Sequence, residues 1–66
     1  MVPVMMRTFS LSVEDDRLGV PVRSMYMAAD EDRSREIAQA KLQSSPNFRA
    51  VEVGENGHTL FRLERT

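Results

Sequence analysis

From Thr8 to Val13 the chain alternates polar and apolar residues, TFSLSV, which puts Phe9, Leu11 and Val13 on one face of a β-strand and Thr8, Ser10 and Ser12 on the other. The polar stretch EDDRLG follows and closes at Gly19. Beyond it VPVRSMYMA reads as a second strand, with Pro21 at its start or on an edge. The two predict a hairpin. In the second strand Met25 and Met27 share one face while Val22, Ser24 and Tyr26 share the other, and the methionine face is assigned to the core.

A helix is predicted from about Glu31 to Ser44, and Pro46 pushes Ser45 towards extended geometry and stops it. Ile37, Ala38, Ala40 and Leu42 span an arc of that helix, but Ser34, Lys41 and Ser45 fall inside the same arc. The apolar stripe is thin. Its small residues suit a helix lying close to a sheet, with the Lys41 stem bent towards water.

In VEVGENGHTLFRL, a two-residue Asn56-Gly57 turn would set Val51 opposite Arg62. A three-residue loop with Gly57 left-handed sets Val51 opposite Phe61 and Val53 opposite Thr59, which gives one apolar face and is preferred. Glu52 then pairs with Leu60 and Ala50 with Arg62 on the other face, where Leu60 is partly exposed. The resulting fold class is α+β: a ββαββ chain with a four-stranded, mainly antiparallel sheet and one helix packed on one face. Two strand orders remain open, a fully antiparallel 2-1-3-4 sheet and a 1-2-3-4 sheet with one parallel pair, and crossover handedness does not separate them. The uncovered face carries Thr8, Ser10, Ser12, Tyr26, Leu60 and Arg62.

At 66 residues the chain is one domain, 1–66, with residues 1–6 expected to form a loose N-terminal tail. A chain this short buries roughly 60% of its unfolded surface, so stability is expected to be marginal. An apolar fraction of 41% with 29% charged residues is that of a globular chain. The N-terminal MVPVMMRTF has neither a long apolar run nor a cleavage pattern, so a cytoplasmic protein without a membrane anchor is expected. A net charge of −1 supplies no global field for nucleic acid or an anionic membrane. Electrostatic function has to come from local clusters.

Without cysteine there is no thiol chemistry, and one histidine, His58, excludes multi-histidine metal ligation. Asp30, Asp32 and Ser34 take the first, third and fifth positions of a calcium-loop pattern. Its sixth position, which needs Gly, is Arg35, and its twelfth, which needs Glu, is Lys41. Helix capping accounts for all three acids better: Asp30 as the N-cap, Glu31 and Asp32 in the first turn beside the free amides. Serines are plentiful, yet the one histidine, His58, sits beside the Gly57 turn at a hairpin tip and reads as a solvated turn residue, and Gly19, Gly54 and Gly57 mark turns rather than a phosphate cradle. No enzyme, cofactor or metal site is expected.

Eight of the nine basic residues are arginine, and Arg7, Arg23, Arg49 and Arg62 are candidates for phosphate contacts along the sheet. Acids accompany the other arginines, and no aromatic pair is interleaved with them as a single-strand platform requires. Two acidic clusters stand out, Glu14-Asp15-Asp16 and Asp30-Glu31-Asp32. The strand between them separates the clusters by roughly 30 Å at about 3.3 Å per residue. With Glu36 they form a candidate acidic row along one edge, suited to a basic groove.

This layout of a short chain, a β-hairpin, a helix opened by acids, then FRAVEV and a last strand resembles some anti-CRISPR proteins and, more distantly, a phage inhibitor of bacterial RNA polymerase. It covers residues 20–64 as an order of elements, and no site residue carries over. The resemblance implies stoichiometric binding to a large nucleic-acid-handling complex without catalysis. The leading expectation is therefore a small inhibitor that binds and blocks a larger protein or ribonucleoprotein, with Glu14, Asp15, Asp16, Asp30, Glu31, Asp32, Glu36, Tyr26 and Arg62 as candidate contact residues. A nucleic-acid-binding module using the strand arginines and a self-associating regulatory subunit are the alternatives, with the chain a monomer or homodimer.

Overall fold

The computed structural model describes residues 5–65, and the N-terminal residues 1–4 of the expected tail lie outside that range. The chain runs β1 (Arg7–Asp15), β2 (Val22–Ala28), α1 (Glu31–Gln43), β3 (Phe48–Glu55) and β4 (His58–Glu64). The sheet order is β2-β1-β3-β4 and every pair is antiparallel, so of the two orders compatible with the sequence the fully antiparallel one is adopted. Helix α1 crosses one face of the sheet and brings β3 back beside β1.

The alternation of β1 holds as written: Phe9, Leu11 and Val13 are buried under the helix, opposite Val51 and Val53 of β3. These join Ala28, Ala38 and Leu42 in the core, with Tyr26, Ile37, Phe48, Phe61 and Leu63 packed around it. Burying a side chain such as Phe9, which is 0% exposed, is worth about 1.5–3 kcal/mol. The helix stripe is as thin as its sequence suggests. Ser34, Ala38 and Leu42, one turn apart, are its buried residues, while Ala40 faces solvent and Ile37 is half-buried. Asp30 caps the helix, its carboxylate accepting the Arg33 amide at 2.8 Å, and Glu31 and Asp32 occupy the first turn. At the other end the Ser44 amide closes on the Lys41 carbonyl.

Two expectations are corrected. In β2 the methionines face outward: Met25 is 67% and Met27 57% exposed, and Tyr26 turns under the helix. Pairing with β1 sets Tyr26 opposite Phe9, so the two rings stack on one face with centroids 5.7 Å apart. The Tyr26 hydroxyl then meets the Ser34 hydroxyl, a polar end that a methionine lacks. In the second hairpin the turn is the two-residue Asn56-Gly57, with φ of 53° and 80°, and Glu55 pairs with His58. A register shift between Val53 and Gly54 then leaves Leu60 as an extra residue, so Val53 pairs with Phe61 and Val51 with Leu63. The bulge produces one apolar face without a longer loop. It also pairs Glu52 with Arg62 and Ala50 with Glu64, in place of the expected Glu52–Leu60 and Ala50–Arg62.

Candidate interaction face

With the helix on one side, the opposite face of the sheet is open. Register places Thr8, Ser10, Ser12 and Glu14 of β1 on it, with Arg23, Met25 and Met27 on one flank and Glu52, Thr59, Arg62 and Glu64 on the other. A shallow trough of about 320 Å³ follows the middle, lined by Ser10, Ser12, Glu14, Arg23, Glu52 and Arg62 among others. Gly54 lies in its floor because a side chain there has no room: a Cβ would stand 2.9 Å from both the His58 carbonyl and the Ser10 hydroxyl.

Arg62 is the centre of the charge on this face. It donates to Glu64 at 2.8 Å and to Glu14 at 3.0 Å, and its third nitrogen lies 3.5 Å from Glu52. Glu52 in turn accepts from the Thr59 hydroxyl at 2.9 Å. Hydrogen bonding to Glu14 and Glu64 pushes the Arg62 pKa up, and the Arg62 hydrogen bond holds the Glu14 carboxyl below its ordinary range. Arg49 joins the edge of the network, 2.9 Å from Asp16 and 3.7 Å from Glu14.

The acidic row expected from sequence is thereby taken apart. Alternation splits Glu14-Asp15-Asp16: Glu14 faces the trough, Asp15 is buried on the helix side, and Asp16 lies in the turn beside Arg49. Asp15 accepts the Arg17 amide at 2.8 Å and the Arg17 guanidinium at 2.7 and 3.0 Å, and these bonds lower its pKa. Glu36 pairs with Arg33 one turn away at 2.8 Å. Asp30, Glu31 and Asp32 lie at the far end of β2, as the strand between the clusters requires. Tyr26 leaves the set of exposed contacts, since its hydroxyl is spent on Ser34. Of the sequence candidates, Glu14 and Arg62 alone meet on the open face.

Apart from Arg23, which makes no ion pair among the described residues, the arginines are similarly committed. Arg7 forms a two-point pair with Glu55, with one contact at 2.8 Å, and lowers the Glu55 pKa. Arg35 lies over the Phe61 ring at 4.2 Å, and Arg65 donates to the backbone carbonyls of Leu42, Ser45 and Phe48. Residues that sequence reasoning missed, Glu52, Glu64 and Met25, were marked by charges alternating with Val51, Val53, Phe61 and Leu63, and by the second phase of β2. Among the described residues no three acidic or histidine side chains gather as a metal-holding group, and no helix is long and apolar enough to cross a membrane. The fold defines an open-faced antiparallel α+β domain. No family model matches the chain, and neither a curated protein nor a solved structure shows significant similarity to it.

Proposed function

We propose that this chain acts by binding rather than by catalysis, docking on and blocking a larger protein or nucleoprotein through the open face of its sheet. The observation that carries the proposal is that face itself: strand positions with exposed methionines on one flank, hydroxyls in the middle and an Arg62-centred ion-pair network on the other. Apolar area beside oriented, mixed-sign charge suits a protein surface, where charge pattern fixes register and partner choice. A nucleic-acid backbone would instead need a basic excess. Here Arg7, Arg17, Arg33, Arg49 and Arg62 each already face a carboxylate, which favours the protein component of a partner over bare DNA or RNA. The resemblance to phage inhibitors in element order is the narrower form of the same proposal, stoichiometric blocking of a nucleic-acid-handling complex.

The test is site-directed crosslinking in lysate from the source cells, with a photoreactive side chain at Ser12 on the open face or at Gln39 on the exposed side of the helix. A stoichiometric adduct from position 12 and not from position 39 is expected. Equal labelling from both, or none from either, would sink the proposal. A gel shift with DNA or RNA that weakens steeply with salt would replace it by the nucleic-acid alternative.

A further inference from the structure

Strand β2 turns two thioethers outward. Met25 and Met27 lie two residues apart on the open side of the strand, 67% and 57% exposed, while Tyr26 between them is half-buried under the helix. At about 3.3 Å per residue their Cα atoms stand roughly 7 Å apart. An unbranched side chain with three rotatable bonds lets both sulfurs reach one point above the sheet. Their cross-strand neighbours are short: Thr8 pairs with Met27, Ser10 with Met25, and beyond Ser10 lies Gly54. The methionine arms are therefore free to lean together. Met6, two residues before Thr8 and 47% exposed, continues the same alternation and brings a third sulfur to this corner, diagonally across from Met27.

We infer that Met6, Met25 and Met27 form a binding site for one soft monovalent cation of the copper(I) class. The inference stands apart from the docking reading, because it needs no protein partner. Thioether sulfur is a soft donor that suits copper(I), whereas magnesium, calcium and manganese take oxygen ligands. Zinc takes thiolate, imidazole or carboxylate, and the corner supplies none of these. An apolar margin is made equally well by leucine or valine, and sulfur is what methionine adds.

Charge on the same face selects the valence of the ion. Arg23 stands two residues before Met25 on the open side and makes no ion pair among the described residues. Its repulsion is twice as great for a divalent as for a monovalent ion at the same distance. The carboxylates of Glu14, Glu52 and Glu64 do not offset it, since all three face Arg62. At an exposed site water weakens the repulsion, so it acts against a divalent ion without closing the site to a monovalent one. A thioether also has no proton to lose. Binding here releases none, unlike binding to a thiol, imidazole or carboxyl set, and the ion is held without being oxidised or reduced.

The experiment is titration of the whole chain with silver(I), the redox-inert counterpart of copper(I), followed by native mass spectrometry and by the methionine ε-methyl NMR signals. One ion per chain is expected, with the Met6, Met25 and Met27 signals shifting together. Met5, more exposed than these at 84%, falls out of the alternation and serves as the control for mere exposure, so its signal stays in place. Affinity is expected to be equal at about pH 5 and about pH 8, the interval over which an imidazole such as His58 titrates. Met6→Leu, Met25→Leu and Met27→Leu keep the side-chain volume and remove the sulfur, and circular dichroism checks the fold. Each should weaken binding at least about tenfold, the loss a metal site suffers when even an outer partner is removed, while Met5→Leu leaves it unchanged. No ion bound at about 1 mM, the weak end of specific association, would overturn the inference. So would equal shifts of all the methionine signals, a site indifferent to the loss of any one of its three sulfurs, or binding that disappears in His58→Ala.

Discussion

Replacing Tyr26 by Phe removes one hydroxyl and isolates another. Ser34 is 0% exposed in the first turn of α1, and its hydroxyl has the Tyr26 hydroxyl as its hydrogen-bond partner. The Tyr26 hydroxyl also reaches the Ser34 carbonyl at 3.3 Å. Phenylalanine keeps the stack on Phe9, so what changes is the hydrogen bond alone. Leaving a buried hydroxyl unpaired costs about 1–3 kcal/mol. Ser34→Ala is different, because it removes the buried group together with its need for a partner, and the half-buried Tyr26 can turn its hydroxyl to water. The lost bond, about 0.5–1.5 kcal/mol net, is offset in part by the better helix propensity of alanine, some tenths of a kcal/mol. The expected order is therefore Tyr26→Phe well above Ser34→Ala, with the double variant less destabilised than Tyr26→Phe alone. At about 4–8 °C per kcal/mol for a domain of this size, thermal unfolding followed by circular dichroism separates the three, and urea unfolding with unchanged slope checks that the folded state is intact. The reasoning fails if Ser34→Ala costs more than Tyr26→Phe, or if the double variant equals the sum of the singles.

The glycines predict a graded series in the same assay. Gly54→Ala forces a Cβ against the His58 carbonyl, a backbone atom that cannot turn away, and should cost about 1–3 kcal/mol. Gly57→Ala, at φ of 80°, should cost about 1–2 kcal/mol, whereas Gly19→Ala, with nothing within 4 Å, should be neutral or slightly stabilising. Acid stability follows from Glu14, Asp15 and Glu55, whose pKa values are lowered by Arg62, Arg17 and Arg7 respectively. A carboxyl with a lowered folded pKa contributes stability that is complete above the unfolded value, about 4, and is lost as pH falls through the folded one. Melting temperature should thus decline below about pH 4, and Asp15→Asn or Glu55→Gln should flatten that limb; an unchanged limb in both would contradict the assignment. Arg62→Ala leaves Glu14, Glu52 and Glu64 without their shared cation. It should lower the melting temperature more at pH 7 than at pH 3, because the Glu14 carboxyl that Arg62 holds ionised takes up a proton on the acid side, and equal losses at both pH values would count against the Arg62–Glu14 pair.

Legibility in the sequence followed how much each residue type restricts its surroundings. In β1 three apolar residues alternate with hydroxyls, so one face had a single assignment and the structure keeps it. In β2 both phases contain apolar side chains, and periodicity alone cannot rank Met25 and Met27 against Val22 and Tyr26. Tyr26 goes inward because Phe9 lies opposite and Ser34 waits above it, two partners distant in sequence. The final hairpin misled for another reason. A two-residue turn and a one-residue bulge together give a single apolar face as a longer loop would, but with Val51 on Leu63 and Val53 on Phe61, and an inserted residue such as Leu60 has no marker in a local pattern.

What the amino-acid sequence determined by itself is local: which segments form strands and which the helix, the Asp30 cap at the helix start and the inward face of β1. Backbone preference, capping and side-chain period act within a few residues, so they can be read from neighbours in the chain. The tertiary structure alone decided which strand lies beside which, which side of β2 meets the helix, and that Glu14, Glu52 and Glu64 converge on Arg62. Those outcomes depend on pairing and register between distant segments, where a shift of one residue exchanges every side chain between the core and the open face.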